Sequence, residues 1–324
     1  MKFVVWIAYH LESRDIVDDY INRLQAYLKD HDFVVCEDLD SIKREIVDAD
    51  AMIGWGITPE VFAEARNLKW IQFGSSGIDH TVFPELLHSD VIVTTMSGIH
   101  TVPVAEHVLA IMLALARRLD AAAMLQAEHS YNRAELAATS SELSGKTIGI
   151  IGLGKIGSNI ARLAKAFDMR VVGTKRTVDS PIPNVDELFT PDQLHKILPV
   201  SDFLVLVVPL TSVTRALIGR EEIALMKDGS YLINVARGVM VDHDALGDAL
   251  RSGKLNGAAL DVFPTEPLPP DSPIYDLPHT IITPHTAGSS ARYSERAAEI
   301  FKRNLDAFVS GEEMINVYDK ERGY

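Results

Sequence analysis

Residues 148–167, IGIIGLGKIGSNIARLAKAF, constrain the fold more than any other stretch of this chain. A short apolar run gives way to glycines at 152, 154 and 157 and then to an amphipathic segment. That order predicts a strand, a tight turn and a helix. Gly152 permits the turn, Gly154 lets a diphosphate come close to the backbone, and Gly157 lets the helix pack on the strand. The helix N-terminus adds N–H groups without intrahelical partners and a partial positive charge. The G-x-G-x-x-G spacing alone is a weak sign, and a glycine turn without a ligand is the bland alternative. The strand before it, the helix after it and RVVGT as the next strand favour a dinucleotide site.

The same alternation runs along the whole chain. KFVVWIAY, FVVCE, AMIGWG, KWIQFG and VIVTT read as strands of an N-terminal series. Between the first two, Ile16, Tyr20, Ile21, Leu24, Tyr27 and Leu28 recur at helical spacing behind Ser13 as a cap. A long helix is predicted over 103–124, with Pro103 in its first turn; apolar nearly all round, it should be buried. A second series follows, with KTIGII, RVVGT, DFLVLVV, SYLINVA, GAALDVF and TIITP as six strands. TPDQLHKIL starts a helix with Thr190 as cap, Pro191 in the first turn and Gln193 closing a capping box. A last amphipathic helix ends near Gly311. Strand–helix alternation of this kind predicts an α/β protein with parallel sheets covered on both faces. At about 150 residues per domain, a chain of 324 residues predicts two domains.

Composition narrows the function classes. Acids outnumber bases 45 to 31, giving a formal net charge of −14, so no nucleic-acid partner is expected. VLAIMLALA (108–116) is far shorter than the roughly 20 residues of a membrane span, and MKFVVWIAY does not make a signal peptide. The single cysteine, Cys36, allows no internal disulfide, reads as a packed apolar residue and fits a reducing, cytoplasmic setting. His100 and His107 fall on one predicted helix face, but no metal-ligand set accompanies them; His31, His88 and His195 read as surface or packing residues.

In so acidic a chain, the pair Lys175-Arg176 carries information. The acid that grips an adenosine ribose is expected at the end of the second strand, about 20 residues past the glycine turn. This position holds Lys175. A carboxylate there accepts from a 2′-hydroxyl and repels a 2′-phosphate; Lys and Arg do the reverse. One charge pair at about 4 Å and an effective dielectric of 20 has a Coulomb energy of about 4 kcal/mol before desolvation. A third of that is about tenfold discrimination. The pair therefore predicts NADP(H) over NAD(H), with a solvated basic loop as the alternative. Asp179 lies beyond the strand end and is a poor substitute for the missing acid.

SSGIDH, VPVAEHVLAIMLALAR, GKTIGIIGLGKIG, VVPLT, LINVARG, ALDVFPTEPLP and TPHTAG follow one another in an order that resembles the D-isomer-specific 2-hydroxyacid dehydrogenases, over nearly the full length. The resemblance is to the glyoxylate/hydroxypyruvate reductase-like, NADP-type members. It implies two doubly wound domains, a Rossmann-type cofactor domain at about 101–288 inserted into a flavodoxin-like substrate domain at 1–100 and 289–324. It also implies a homodimer formed through the cofactor domains. The activity it implies is reduction of a 2-oxo acid to the D-2-hydroxy acid, or the reverse, by direct hydride transfer.

The resemblance assigns Arg237, Glu266 and His285 to catalysis. Each residue type suits its role on chemical grounds. Arg237 follows a strand, and its planar fork holds a carboxylate with two hydrogen bonds. His285 follows the last strand, and an imidazole, with an ordinary pKa of about 6.5, gives or takes a proton near neutrality. A carboxylate from Glu266 bonded to that ring would orient it and favour its protonated form; an exposed loop acid is the alternative. Backbone N–H groups of Ser76 and Gly77 are implied to bind the substrate carboxylate, along with Arg237 and His285. Cofactor contacts are implied at Lys155 and Ile156 in the glycine turn and at Thr177 beside the basic pair. Further ones are implied at Val208, Pro209 and Thr214, at Val235, Ala236 and Arg237, and at Asp261, His285 and Gly288. For Asp261, support of the site is the other reading. Trp55, Ile99 and Tyr293 are candidates for the side-chain pocket, with core packing as an equal reading. A formate- or phosphonate-type dehydrogenase is a rival within the class. Outside it, the rival is a non-enzymatic NAD(P)-sensing scaffold of corepressor type. Turnover of simple 2-oxo acids separates that scaffold from the enzyme.

Overall fold

The computed structural model describes residues 1–8, 13–178 and 180–323. Tyr9, at the end of the first predicted strand, and Asp179 lie outside the described residues. The chain divides into two compact units, Met1–His100 with Ser289–Tyr324, and Thr101–Gly288.

The first unit is built on β1 (Lys2–Trp6), β2 (Asp32–Cys36), β3 (Ala51–Gly54), β4 (Trp70–Phe73) and β5 (Ile92–Thr94). They form one parallel sheet in the order β2-β1-β3-β4-β5, the flavodoxin-like arrangement. The helix Arg14–Tyr27 turns Val17, Tyr20 and Leu24 inward. Ser13 occupies its cap position, but the hydroxyl makes no cap bond; the Ser13 carbonyl accepts from Ile16 and Val17 instead. The helix Tyr293–Ser310 ends at Gly311, whose φ of +73° suits a residue without Cβ. Its Phe301 stacks on Trp70, with ring centroids 5.6 Å apart. Trp55, Ile99 and Tyr293 are all buried in this core. That burial supports the core-packing reading of these three residues. Cys36 is buried and free.

The second unit contains β6 (Thr147–Ile151), β7 (Arg170–Thr174), β8 (Glu187–Phe189), β9 (Phe203–Leu206), β10 (Ser230–Asn234), β11 (Leu255–Leu260) and β12 (Thr280–Ile282). The sheet runs β12-β11-β10-β9-β6-β7-β8 and is parallel throughout. Six strands were expected; β8 is the seventh. Its three residues, Glu-Leu-Phe, show no alternation long enough to register as a strand. Side chains alternate between two apolar layers, with Ile148, Ile150 and Val205 in one and Ile151, Leu204 and Leu206 in the other. The strand order reverses between β6 and β9, the switch point at which such sheets bind ligands.

The predicted helix over 103–124 is two helices, Thr101–Ala116 and Leu119–Ala127. Arg118 breaks it with a left-handed φ of +55°, which no glycine or proline announces. Only the first is buried; Leu119–Ala127 has no buried residue, and Met124 is 66% exposed. His100 precedes the helix, so it does not share a helical face with His107. At Thr190, Gln193 Oε1 accepts the cap N–H at 3.2 Å, and the turn Pro191–Gln193 is 3-10 rather than α.

Candidate active site

The glycine turn leaves β6 and enters the helix Lys155–Lys165, with Gly154 at its cap. Gly152 has φ +109°, and a Cβ there would meet the Val207 carbonyl oxygen at 2.8 Å. A Cβ on Gly157 would fall 2.2 Å from the Gly152 carbonyl oxygen. At Gly154 a Cβ would touch nothing within 4 Å, so this position opens outward. The turn therefore fits a diphosphate: the glycines on either side are packed shut, and the one between faces open space in front of a helix N-terminus.

Thr174 ends β7 against this turn, its hydroxyl accepting from Gly152 N–H and its carbonyl from Leu153 N–H. Lys175, Arg176 and Thr177 follow at once, all exposed. Val208 and Pro209 follow β9, and the Thr214 hydroxyl closes their loop by donating to the Pro209 carbonyl at 2.8 Å. Val235 N–H donates to the Leu206 carbonyl, joining the ends of β10 and β9.

Arg237 stands just beyond β10. Asn234 fixes its loop, Nδ2 donating to the Arg237 carbonyl and Oδ1 accepting from Ala236 N–H. One guanidinium N–H goes to the Ala236 carbonyl at 2.8 Å. Gly238 then lies against Phe263, where a Cβ would collide with main chain at 2.0 Å. The Phe263 loop carries Glu266. Glu266 Oε1 accepts from Phe263 N–H at 2.8 Å, and Oε2 lies 2.6 Å from His285 Nδ1. The loops of Arg237, Glu266 and His285 thus meet at the carboxyl ends of β10, β11 and β12. His285 has a left-handed φ of +54°, held by its N–H donating to the Asp261 and Thr283 carbonyls. A histidine in that region is uncommon and is held there by its surroundings.

Asp261 is 2% exposed. Its Oδ1 accepts from the Thr283 hydroxyl at 2.6 Å and from Thr286 N–H at 2.9 Å, and Oδ2 accepts from Ala287 N–H at 3.0 Å. Of the two readings open for Asp261, this geometry supports the one in which it builds the turn carrying His285. His107 Nε2 lies 3.2 Å from the Thr283 hydroxyl. Burial pushes the His107 imidazole below its ordinary 6.5, and the Asp261 charge opposes that shift. Nothing in the spacing of the sequence marks Thr283, and His107 stands out there only beside His100. A histidine inside the apolar run VPVAEHVLAIM was the available signal. Among the described residues, no group of three or more His, Cys, Asp or Glu is placed to hold a metal.

In the first unit, Ser76 and Gly77 lie in the turn after β4. The Ser76 hydroxyl donates to the Met96 carbonyl at 2.9 Å, and the Tyr293 hydroxyl fixes Gly74 by donating to its carbonyl at 2.6 Å.

A seven-stranded parallel sheet with an open phosphate turn at its reversal defines a dinucleotide-binding domain. The profile described as D-isomer specific 2-hydroxyacid dehydrogenase, NAD binding domain, matches residues 109–287. The chain is 37% identical over 302 residues to a glyoxylate reductase of Thermofilum pendens, covering 91% of this chain and 83% of that one. It is 34% identical over 323 residues to a glyoxylate reductase of Pyrococcus furiosus, covering 95% and 94%. A crystal structure of the NADPH-dependent glyoxylate/hydroxypyruvate reductase of Sinorhizobium meliloti, in complex with NADP and sulfate, superposes over 100% of both chains with a TM-score of 0.85 at 27% identity. The chain belongs to the D-isomer-specific 2-hydroxyacid dehydrogenases. It is an NAD(P)-dependent oxidoreductase that interconverts 2-oxo acids and 2-hydroxy acids.

Proposed function

We propose that the protein reduces a small 2-oxo acid of the glyoxylate or hydroxypyruvate type to its D-2-hydroxy acid, with NADPH preferred and NADH accepted. The observation that carries the chemistry is the 2.6 Å contact between His285 Nδ1 and Glu266 Oε2. With the ring hydrogen on Nδ1 given to Glu266, Nε2 is the atom that delivers a proton to the substrate's carbonyl oxygen. Arg237 grips the substrate carboxylate and polarises the carbonyl. Ser76 and Gly77 would bind the substrate carboxylate through backbone N–H groups, as the resemblance implies.

The glycine turn, including Lys155, Ile156 and Gly157, would hold the cofactor diphosphate, and Lys175 with Arg176 its 2′-phosphate. Thr177, Val208, Pro209, Thr214, Val235, Ala236 and Gly288 would line the rest of the cofactor's path. When bound, the reduced nicotinamide supplies the hydride. NADP in the Sinorhizobium relative supports the cofactor preference, and no helix among the described residues is long and apolar enough to cross a membrane. A cytoplasmic homodimer completes the reading, supported by apolar surface at Leu119, Met124 and Tyr131, the last 93% exposed.

Initial rates on glyoxylate, hydroxypyruvate, pyruvate and bulkier 2-oxo acids, each with NADPH and NADH, test the reading; binding of NADPH without turnover of any of them would overturn it. Glu266→Gln replaces the carboxylate that orients the ring through Nδ1, so kcat for reduction should fall by about tenfold or more with the substrate KM near that of wild type. An unchanged kcat would remove Glu266 from its assigned role.

A further inference from the structure

Thr283 has a single hydroxyl hydrogen, and it goes to Asp261 Oδ1 at 2.6 Å. Toward His107 Nε2, 3.2 Å away, the same oxygen can only accept. His107 must therefore carry its hydrogen on Nε2 and donate it. Burial lowers the ring's pKa against the opposing charge of Asp261, which favours the neutral ring with its hydrogen on Nε2. From Asp261 the chain of bonds continues into the turn that holds His285: to Thr286 N–H, to Ala287 N–H and, through the Asp261 carbonyl, to His285 N–H at 2.8 Å.

We propose that His107 is a positioning residue for proton transfer, fixing the Thr283 hydroxyl and through it the Asp261 carboxylate that sets the place of the His285 ring. This rests on the reading of His285 as the proton donor. His107 stands on the helix Thr101–Ala116, whose Val104, Ala105, Val108 and Leu109 are core residues. The proton donor, on a half-exposed turn with a left-handed backbone, is thereby referred to a rigid element rather than to its own loop. Neither His107 nor Thr283 itself belongs to the substrate or cofactor set, so their loss should weigh more on the placing of the His285 ring than on binding. Proton delivery needs that placing, since a displacement of about 1 Å at a reacting group costs up to about a hundredfold in rate.

The test uses His107→Leu and Thr283→Val, which remove the two links. His107→Gln and Thr283→Ser keep a donor or a hydroxyl at similar reach, and His285→Gln is the reference. Glyoxylate and NADPH are the probes. In His107→Leu and Thr283→Val, kcat should fall about tenfold, with the KM for both probes within about threefold of wild type. The primary isotope effect on kcat with 4-deuterated NADPH should rise as the chemical step slows. His107→Gln and Thr283→Ser should recover most of the lost rate. A kcat within about twofold of wild type in both removal variants overturns the proposal, and so does equal loss in His107→Leu and His107→Gln, which assigns the effect to packing. If His107→Leu does not fold, the Thr283 pair decides by the same comparison. Loss in His285→Gln without loss in the removal variants overturns only the positioning role. Wild-type rates in His285→Gln overturn the proton-donor reading beneath it.

Discussion

At the N-terminal edge of the seven-stranded sheet, Lys227 and Lys146 meet Asp202 at 2.8 and 3.7 Å. Lys165 meets Asp186 at 2.5 Å, and Arg170 pairs with Glu187. At the C-terminal edge, polar side chains hold the loops that follow the strands: Asn234 bonds the Arg237 loop, Glu266 bridges Phe263 N–H and His285 Nδ1, and Asp261 accepts from Thr286 and Ala287 N–H. One edge neutralises its own charges and closes the fold. The other uses neutral and acidic groups to fix the loops that carry Arg237 and His285. Equal polarity thus serves cohesion at one end of the strands and geometry at the other.

The sharpest way to break this comparison is at the C-terminal edge. His285→Gln should lower kcat for reduction by about 10²–10⁴-fold while the melting temperature stays near that of wild type. A parallel collapse of stability would show the two edges to be alike. Next in size is the basic pair. Lys175→Asp with Arg176→Ala should erase or reverse an NADPH preference of about tenfold or more, read as kcat/KM for both cofactors. A wild-type preference for NADH would refute the assignment. Smaller is the effect of Asp202→Asn, with the opposite character. Burial alone would raise the Asp202 carboxyl, but Lys227, Thr147 N–H and Lys146 outweigh it and hold it below the ordinary carboxylate range. Its loss should cost about 1 kcal/mol, or a few degrees in Tm, with kcat unchanged.

The smallest expected effect is a pH dependence of stability. His107 and His243 are both pushed down by burial, the latter against the charges of Asp242 and Asp244. Their folded pKa values lie below the unfolded one, so the unfolded chain binds more protons between the two. Stability is therefore full above about 6.5 and declines as pH falls below it. Urea melts at about pH 7.5 and 5.5 should show the decline, and His243→Gln should flatten it. A wild-type slope of the opposite sign would rule out buried neutral rings as the cause.

Much of this was legible in the chain because it is written in short-range patterns. The glycine spacing is local, and so are the apolar runs of β6, β9 and β10 and the left-handed glycine at 311. What escaped was set by tertiary context. Arg118 ends a helix in a conformation its residue type does not announce, and β8 exists because β7 offers it an edge to pair with. Thr283, Asp261 and His107 meet across long loops of chain, a contact that spacing does not encode. Glu266 and His285 were paired from a resemblance; their 2.6 Å contact is a distance that sequence spacing could not give.

The nested order of the two units bears on how the protein is made. The core of the first unit joins Phe3, Val5 and Trp70 with Ala297, Phe301 and Leu305, so it lacks a wall until the last helix leaves the ribosome. The inserted unit, by contrast, has all its strands as soon as residue 282 has emerged. During synthesis the first hundred residues must wait, apolar face uncovered, while the later-made body folds; a nascent chain halted near residue 290 should be the form that chaperones hold longest.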